Sequence, residues 1–124
     1  MKRRVLIVDD EALLVRTLSQ AFRDAGYEVA SAGSAEEAEE VLGNEAAFDL
    51  LLLDNRLPGK SGLDLLEGLG ALPETSIVLM TAYGTDETYQ RSVSLGTALY
   101  LKKPFDLKAL LSKAAELVEK GARA

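Results

Sequence analysis

The sequence predicts an α/β domain in which strands and helices alternate around one parallel sheet, and three observations carry that reading. Short apolar runs alternate along the chain with longer stretches of helical period, the pattern of repeated βα units. Two of the runs, Val5-Leu6-Ile7-Val8 and Leu50-Leu51-Leu52-Leu53, are apolar throughout, as strands covered on both faces are. Both end in acid, Asp9 and Asp10 after the first and Asp54 after the second. Parallel strands bring their carboxyl ends to one edge of the sheet, where open α/β folds bind ligands.

Residues 4–8 read as the first strand. Leu14, Leu18, Ala21, Phe22 and Ala25 then share one helical face, and Gly26 is placed to end that helix. Residues 27–32 read as a second strand, less apolar and therefore an edge. Ser34, followed three residues later by Glu37, resembles a capping box for a helix carrying Ala35, Ala38, Val41 and Leu42. Residues 48–53 form the most apolar and central strand, and Pro58-Gly59-Lys60-Ser61-Gly62 after it is dense in turn formers. A third helix spans about 61–69. Pro73-Glu74-Thr75-Ser76 leads into a strand over 77–80, followed by a helix over about 86–95 that stops near Gly96. A short strand over 98–101 precedes a last helix with Leu107, Leu110, Leu111, Ala114, Leu117 and Val118 facing inward.

Five right-handed βα units without linker or repeat admit few compact arrangements. The favoured one is the flavodoxin-like (βα)5 three-layer sandwich with parallel sheet order 2-1-3-4-5, which sets the ends of strands 1 and 3 side by side. That order is adopted from flavodoxin-like regulators, in which it is known, rather than derived from these residues.

Composition narrows the function. A chain of 124 residues suits one domain, 1–124, with a real core. Its net charge of −6 opposes binding to phosphate backbones or anionic lipid, so direct nucleic-acid and membrane contacts are not expected of this segment. No run approaches the roughly 20 apolar residues of a membrane span. The apolar stretch after Met1-Lys2-Arg3-Arg4 is broken by Asp9 too early for a signal peptide, and a cytoplasmic location is expected. Without Cys or His there is no thiolate, no imidazole base and no phosphohistidine, leaving carboxylate, hydroxyl and lysine chemistry.

Asp9, Asp10 and Asp54 are the first candidates for that chemistry. Any one of them alone reads as an ordinary strand-end or capping acid. Together they differ, because carboxylates about 4 Å apart repel by roughly 1 kcal/mol per pair even at the dielectric of water. A cation relieves that repulsion, and oxygen-only ligands with no His or Cys suit Mg2+. Lys103 alone would read as a solvated surface group, but Pro104 biases it toward extended backbone, and from there its stem can reach Asp54. Strand alternation turns Lys102 to the opposite face. Thr81 brings a hydroxyl to the same edge, where an ordinary turn residue is the plain alternative. Tyr100 alone reads as half-buried packing.

The runs Val8-Asp9-Asp10-Glu11, Leu53-Asp54 with Leu57-Pro58-Gly59 and Ser61-Gly62, Met80-Thr81-Ala82, and Tyr100 with Lys103-Pro104-Phe105 resemble the receiver (CheY-like) domains of two-component response regulators. The resemblance covers essentially the whole chain, with motifs at four strand ends in the right order. Met80-Thr81-Ala82-Tyr83-Gly84-Thr85 and Arg56-Leu57-Pro58-Gly59 look most like receivers of the NtrC-type sigma-54 activators. Asn55 is less usual, since that place is commonly apolar in the family.

The resemblance implies a role for each residue. Asp54 matches the phospho-acceptor, Asp9 and Asp10 the acidic pair holding Mg2+, and the Arg56 backbone carbonyl a further metal ligand. Thr81 matches the switch hydroxyl, Tyr100 the switch aromatic, and Lys103 the lysine that pairs with the phosphoryl group. The chain would then be no enzyme in the usual sense but a phospho-acceptor that promotes its own aspartyl phosphorylation and dephosphorylation. A sensor histidine kinase or phosphotransfer protein would be the partner, a phosphorylation-dependent homodimer one response, and transcription the output through a domain outside this chain. Arg56 and Tyr83 occupy places that flank the phosphoryl group in the family.

Three other readings compete. A haloacid-dehalogenase-type phosphatase needs a second Asp two residues after the nucleophile, where Arg56 stands. A flavodoxin-type binding module needs a phosphate loop after the first strand, where Asp9-Asp10-Glu11 stands. A non-phosphorylated receiver-like interaction module is the remaining alternative, although such domains generally lose a site residue.

Overall fold

The computed structural model describes residues 2–123, so Met1 and Ala124, the ends of the expected domain, lie outside the described residues. The elements are β1 (Arg4–Val8), α1 (Ala12–Asp24), β2 (Glu28–Ala32), α2 (Ala35–Asn44), β3 (Leu50–Asp54), α3 (Gly62–Leu69), β4 (Ser76–Thr81), α4 (Asp86–Ser94), β5 (Leu99–Lys102) and α5 (Leu107–Arg123). The strands form one parallel sheet in the order β2-β1-β3-β4-β5, as expected.

Strand alternation divides the core in two. Val5 and Ile7 of β1, Leu50 and Leu52 of β3, and Val78 and Met80 of β4 point to one face, where Leu18 and Phe22 of α1 and Leu110 and Ala114 of α5 cover them. Leu6 and Val8, Leu51 and Leu53, and Ile77 and Leu79 point to the other, under Ala35 and Ala38 of α2 and Leu63, Leu65 and Leu66 of α3. Fully burying a side chain such as Leu contributes roughly 1.5–3 kcal/mol, so these inner strands fix the frame on which the loops at their carboxyl ends sit.

Several local expectations are corrected. Ala25 does not continue the inner face of α1: the helix ends at Asp24, Ala25 is its exposed cap, and Gly26 turns the chain at φ 96°. Strand β3 starts at Leu50 rather than at residue 48. The Arg4 guanidinium bonds the Ala46 and Ala47 carbonyls and stacks 4.3 Å from the Phe48 ring, which draws that segment out of the strand. Only half of the first capping box forms, because Ser34 accepts from the Glu37 N–H while Glu37 Oε2 accepts from the Gly33 N–H instead. The complete box lies at Thr85 and Thr88, where α4 begins.

Candidate functional site

The three acids meet at the carboxyl edge of the sheet. Strands β1 and β3 are adjacent, with Val8 opposite Leu53, so Asp9 and Asp10 beyond one strand and Asp54 at the end of the other face the same cleft. One carboxylate oxygen from each lies within 4.8 Å of the others. Asp9 and Asp54 are buried, at 2% and 4% exposure, while Asp10 is open to solvent. The donors are all hard oxygens, so the set fits a small hard cation such as Mg2+.

Lys103 enters from beyond β5. Its N–H bonds the Thr81 carbonyl at 2.8 Å, which aims the side chain along the sheet edge. The ammonium is 2.8 Å from Asp9 Oδ2 and from Glu11 Oε1, and 3.4 Å from Asp54 Oδ1. Lys103 therefore reaches Asp54 as the sequence suggests, but its shorter contacts are with Asp9 and Glu11. Glu11 is a partner that the strand-end pattern does not single out. Lys102 points away from this cleft and is exposed beside Tyr100.

The electrostatics follow from burial. Desolvation, reinforced by the charge of Asp9, pushes the Asp54 carboxyl up to about 6, against the pull of Lys103 and a hydrogen bond from the Arg56 backbone N–H. Desolvation would weaken the Lys103 ammonium, but the bonds to Asp9 and Glu11 and the charge of Asp54 outweigh it and hold its proton more tightly than usual. Near neutral pH the cleft thus holds the Asp54 carboxylate at the lower edge of its ionised range and a firmly charged cation beside it.

The loop under Asp54 is fixed from both sides. A Cβ on Gly62 would lie 2.5 Å from the Asp54 carbonyl oxygen and 3.1 Å from Leu53 Cγ, so that position requires glycine for space. Asn55 accepts from the Leu63 N–H at 3.1 Å and ties β3 to the first turn of α3. Arg56 and Tyr83 close the rim, with the guanidinium 5.0 Å from the Tyr83 ring centre. The cleft of about 260 Å³ is lined by Asp10, Glu11, Asp54, Arg56, Ala82, Tyr83 and Lys103.

Thr81 ends β4 and is buried; its hydroxyl accepts from the Tyr83 N–H at 3.2 Å. Tyr100 does not line the cleft. Its ring packs edge-on to Tyr89 at 5.3 Å, and its hydroxyl lies 3.2 Å from Thr88 Oγ1, above Gly84. The structure thus brings Asp9, Asp10, Asp54, Arg56, Thr81 and Lys103 to one edge and sets Tyr100 behind Thr81. The strand-end residues were legible from the sequence; the partners Glu11 and Thr88 were not.

Residues 5–115 match the family model described as the response regulator receiver domain. The transcriptional regulatory protein AruR of Pseudomonas aeruginosa is 38% identical over 97% of this chain, which spans only 51% of that relative. A CheY-like receiver domain protein from Methanospirillum hungatei superposes with a TM-score of 0.93 at 32% identity, covering 99% of this chain and 98% of that one. The response regulator TrrA of Thermotoga maritima, solved in complex with Mg2+ and BeF, superposes at 0.81 with 30% identity, over 93% of this chain and 98% of that one.

Proposed function

The chain belongs to the response regulator receiver domain family, and from that premise we propose that it is a phosphorylation-dependent switch whose acceptor is Asp54. The observation that carries the reading is the convergence of three carboxylates and Lys103 on one cleft, with Thr81 at the end of β4 on the same sheet edge. A partner's phosphohistidine fits as donor, since the chain has no His of its own. An Asp54 oxygen attacks phosphorus, the new O–P bond forms as the donor N–P bond breaks, and the electron pair leaves with the donor imidazole, which is protonated there.

Asp9, Asp10 and Asp54, with the Arg56 backbone carbonyl, would hold Mg2+, which when bound offsets negative charge on the transferred group. The other work falls to side chains. Lys103 is already charged and needs only to exchange Glu11 or Asp9 for a phosphoryl oxygen. Thr81 turns its hydroxyl from the Tyr83 N–H toward the same group. That hydrogen bond exists only in the phosphorylated state and is worth about 1.5–3 kcal/mol when charge-assisted, enough for roughly a 10- to 150-fold population shift.

The donor would be a sensor histidine kinase or phosphotransfer protein, and the response a remodelled α4–β5–α5 face that favours a homodimer. The output would be transcriptional, through a domain outside this chain of the NtrC type, in a cytoplasmic protein whose receiver spans 1–124. The name of AruR and the half of its length that this chain does not span support a transcriptional output through a further domain, and the charge of −6 argues against DNA contact by the receiver itself.

Intact mass after incubation with Mg2+ and a small phosphodonor tests the proposal. One phosphoryl group should be gained, and none with chelator or in Asp54→Ala. Persistent labelling of Asp54→Ala would move the acceptor elsewhere. Sedimentation with a beryllium fluoride mimic tests the dimer, and no association would remove it.

A further inference from the structure

We propose that Thr88 is the positioning residue that seats Tyr100, so that the first turn of α4 and the switch aromatic move as one unit. This rests on the reading of Tyr100 as part of the output face. Three separate observations converge on the seat. A Cβ on Gly84 would collide with the Tyr100 hydroxyl and lie 3.3 Å from Thr81 Cγ2, so Thr81, Gly84 and Tyr100 share one space. Tyr89, next to Thr88 on α4, supplies the ring edge that Tyr100 packs against. Thr88 supplies the polar partner.

The hydroxyl inventory decides which way that bond runs. A threonine hydroxyl has one proton and two lone pairs. Thr88 Oγ1 donates to the Thr85 carbonyl at 2.9 Å and accepts from the Thr85 N–H at 2.9 Å, leaving one lone pair. Tyr100 Oη at 3.2 Å and Thr85 Oγ1 at 3.3 Å both reach for it. Thr85 is exposed and can turn its proton to water, whereas the half-buried Tyr100 gains most from the contact, so Tyr100 donates. The same oxygen therefore completes the α4 capping box and holds Tyr100. In this arrangement Thr81 accepts from the Tyr83 N–H, and the seat, on this proposal, belongs to the unphosphorylated chain, where it opposes the switch.

Two readouts separate a seat from a mere helix cap. In the unliganded chain, Thr88→Val should shift and broaden the ring NMR resonances of Tyr100, while Thr88→Ser retains the parent signals. Gly84→Ala should displace Tyr100 and shift the Thr88 amide signal with it. In a beryllium fluoride titration with Mg2+, Thr88→Val and Tyr100→Phe should each lower the midpoint by about 3- to 10-fold, and the double variant no further. An unmoved Tyr100 resonance in Thr88→Val, additive midpoint shifts or a raised midpoint would overturn the proposal. If the parent chain ignores the mimic, phosphoryl acceptance fails as a reading, and the unliganded resonances still decide Thr88.

Discussion

Helices α3 and α4 follow neighbouring strands and pack over the same face of the sheet, yet they are held by different forces. Helix α3 buries Gly62, Leu63, Leu65 and Leu66. Helix α4 buries Ser92 alone and leaves Tyr89 and Val93 in solvent. Apart from the ring contact of Tyr89 with Tyr100, its attachments are polar: the Thr85–Thr88 box, the Tyr100 hydroxyl, and Arg91, whose guanidinium is 2.7 Å from Asp64 on α3. Exposed ion pairs contribute about 0–1 kcal/mol, well below a buried leucine. The apolar helix thus forms a floor beside Asp54, and under the proposed switch the more polar one would be moved by the few kcal/mol that a single phosphoryl contact supplies.

The largest expected effect breaks the comparison at its apolar end. Leu66→Ala in α3 should cost about 2–5 kcal/mol in urea unfolding, and Val93→Ala in α4 no more than about 0.5 kcal/mol. Equal costs would mean that α4 is anchored as firmly as α3.

Asp54 sets the next effect, since its burial beside Asp9 makes the ionised form costly. The folded chain holds the Asp54 proton more tightly than the unfolded chain, so that contribution to stability is complete below about pH 4 and is lost as pH rises through about 6. With chelator present, Asp54→Asn should raise stability by about 1–3 kcal/mol at pH 7.5 and by much less at pH 4. A gain independent of pH would show that charge is not the cause.

What is legible in the sequence follows from the kind of physics each feature obeys. The frame was legible because apolar runs, turn residues and strand-end acids are periodic or local signals, and Asp9, Asp54, Thr81 and Lys103 follow from strand ends once the order is known. Partner choice was not. Glu37 bonds Gly33 instead of its own cap, Thr88 completes a box that Glu or Gln would have advertised, and Lys103 finds Glu11 through the shape of a loop. Asn55 appeared out of place in the sequence, and the structure gives it a reason as the clamp on the first turn of α3.

A smaller effect concerns the rim of the cleft, where Arg56 stacks on Tyr83. Neither side chain suits the positioning of an attacking water, and both are bulky, so loss of the phosphoryl group should be slow. Tyr83→Glu and Arg56→Asn should each speed loss of the label by about 3- to 10-fold, followed by intact mass over time. Unchanged or slower loss in both would defeat this account of the rim.

The measurement that bears most directly on the contrast is residue-resolved hydrogen exchange with and without Mg2+ and beryllium fluoride, on the parent chain and on Thr81→Ala. Exchange should change at the first turn of α4 and along β5 while α3 stays as it was, and Thr81→Ala should still bind the mimic but lose most of the change at α4. A change of equal size in α3, or the same α4 response without the Thr81 hydroxyl, would contradict the claim that one phosphoryl contact is read out through the polar-held helix.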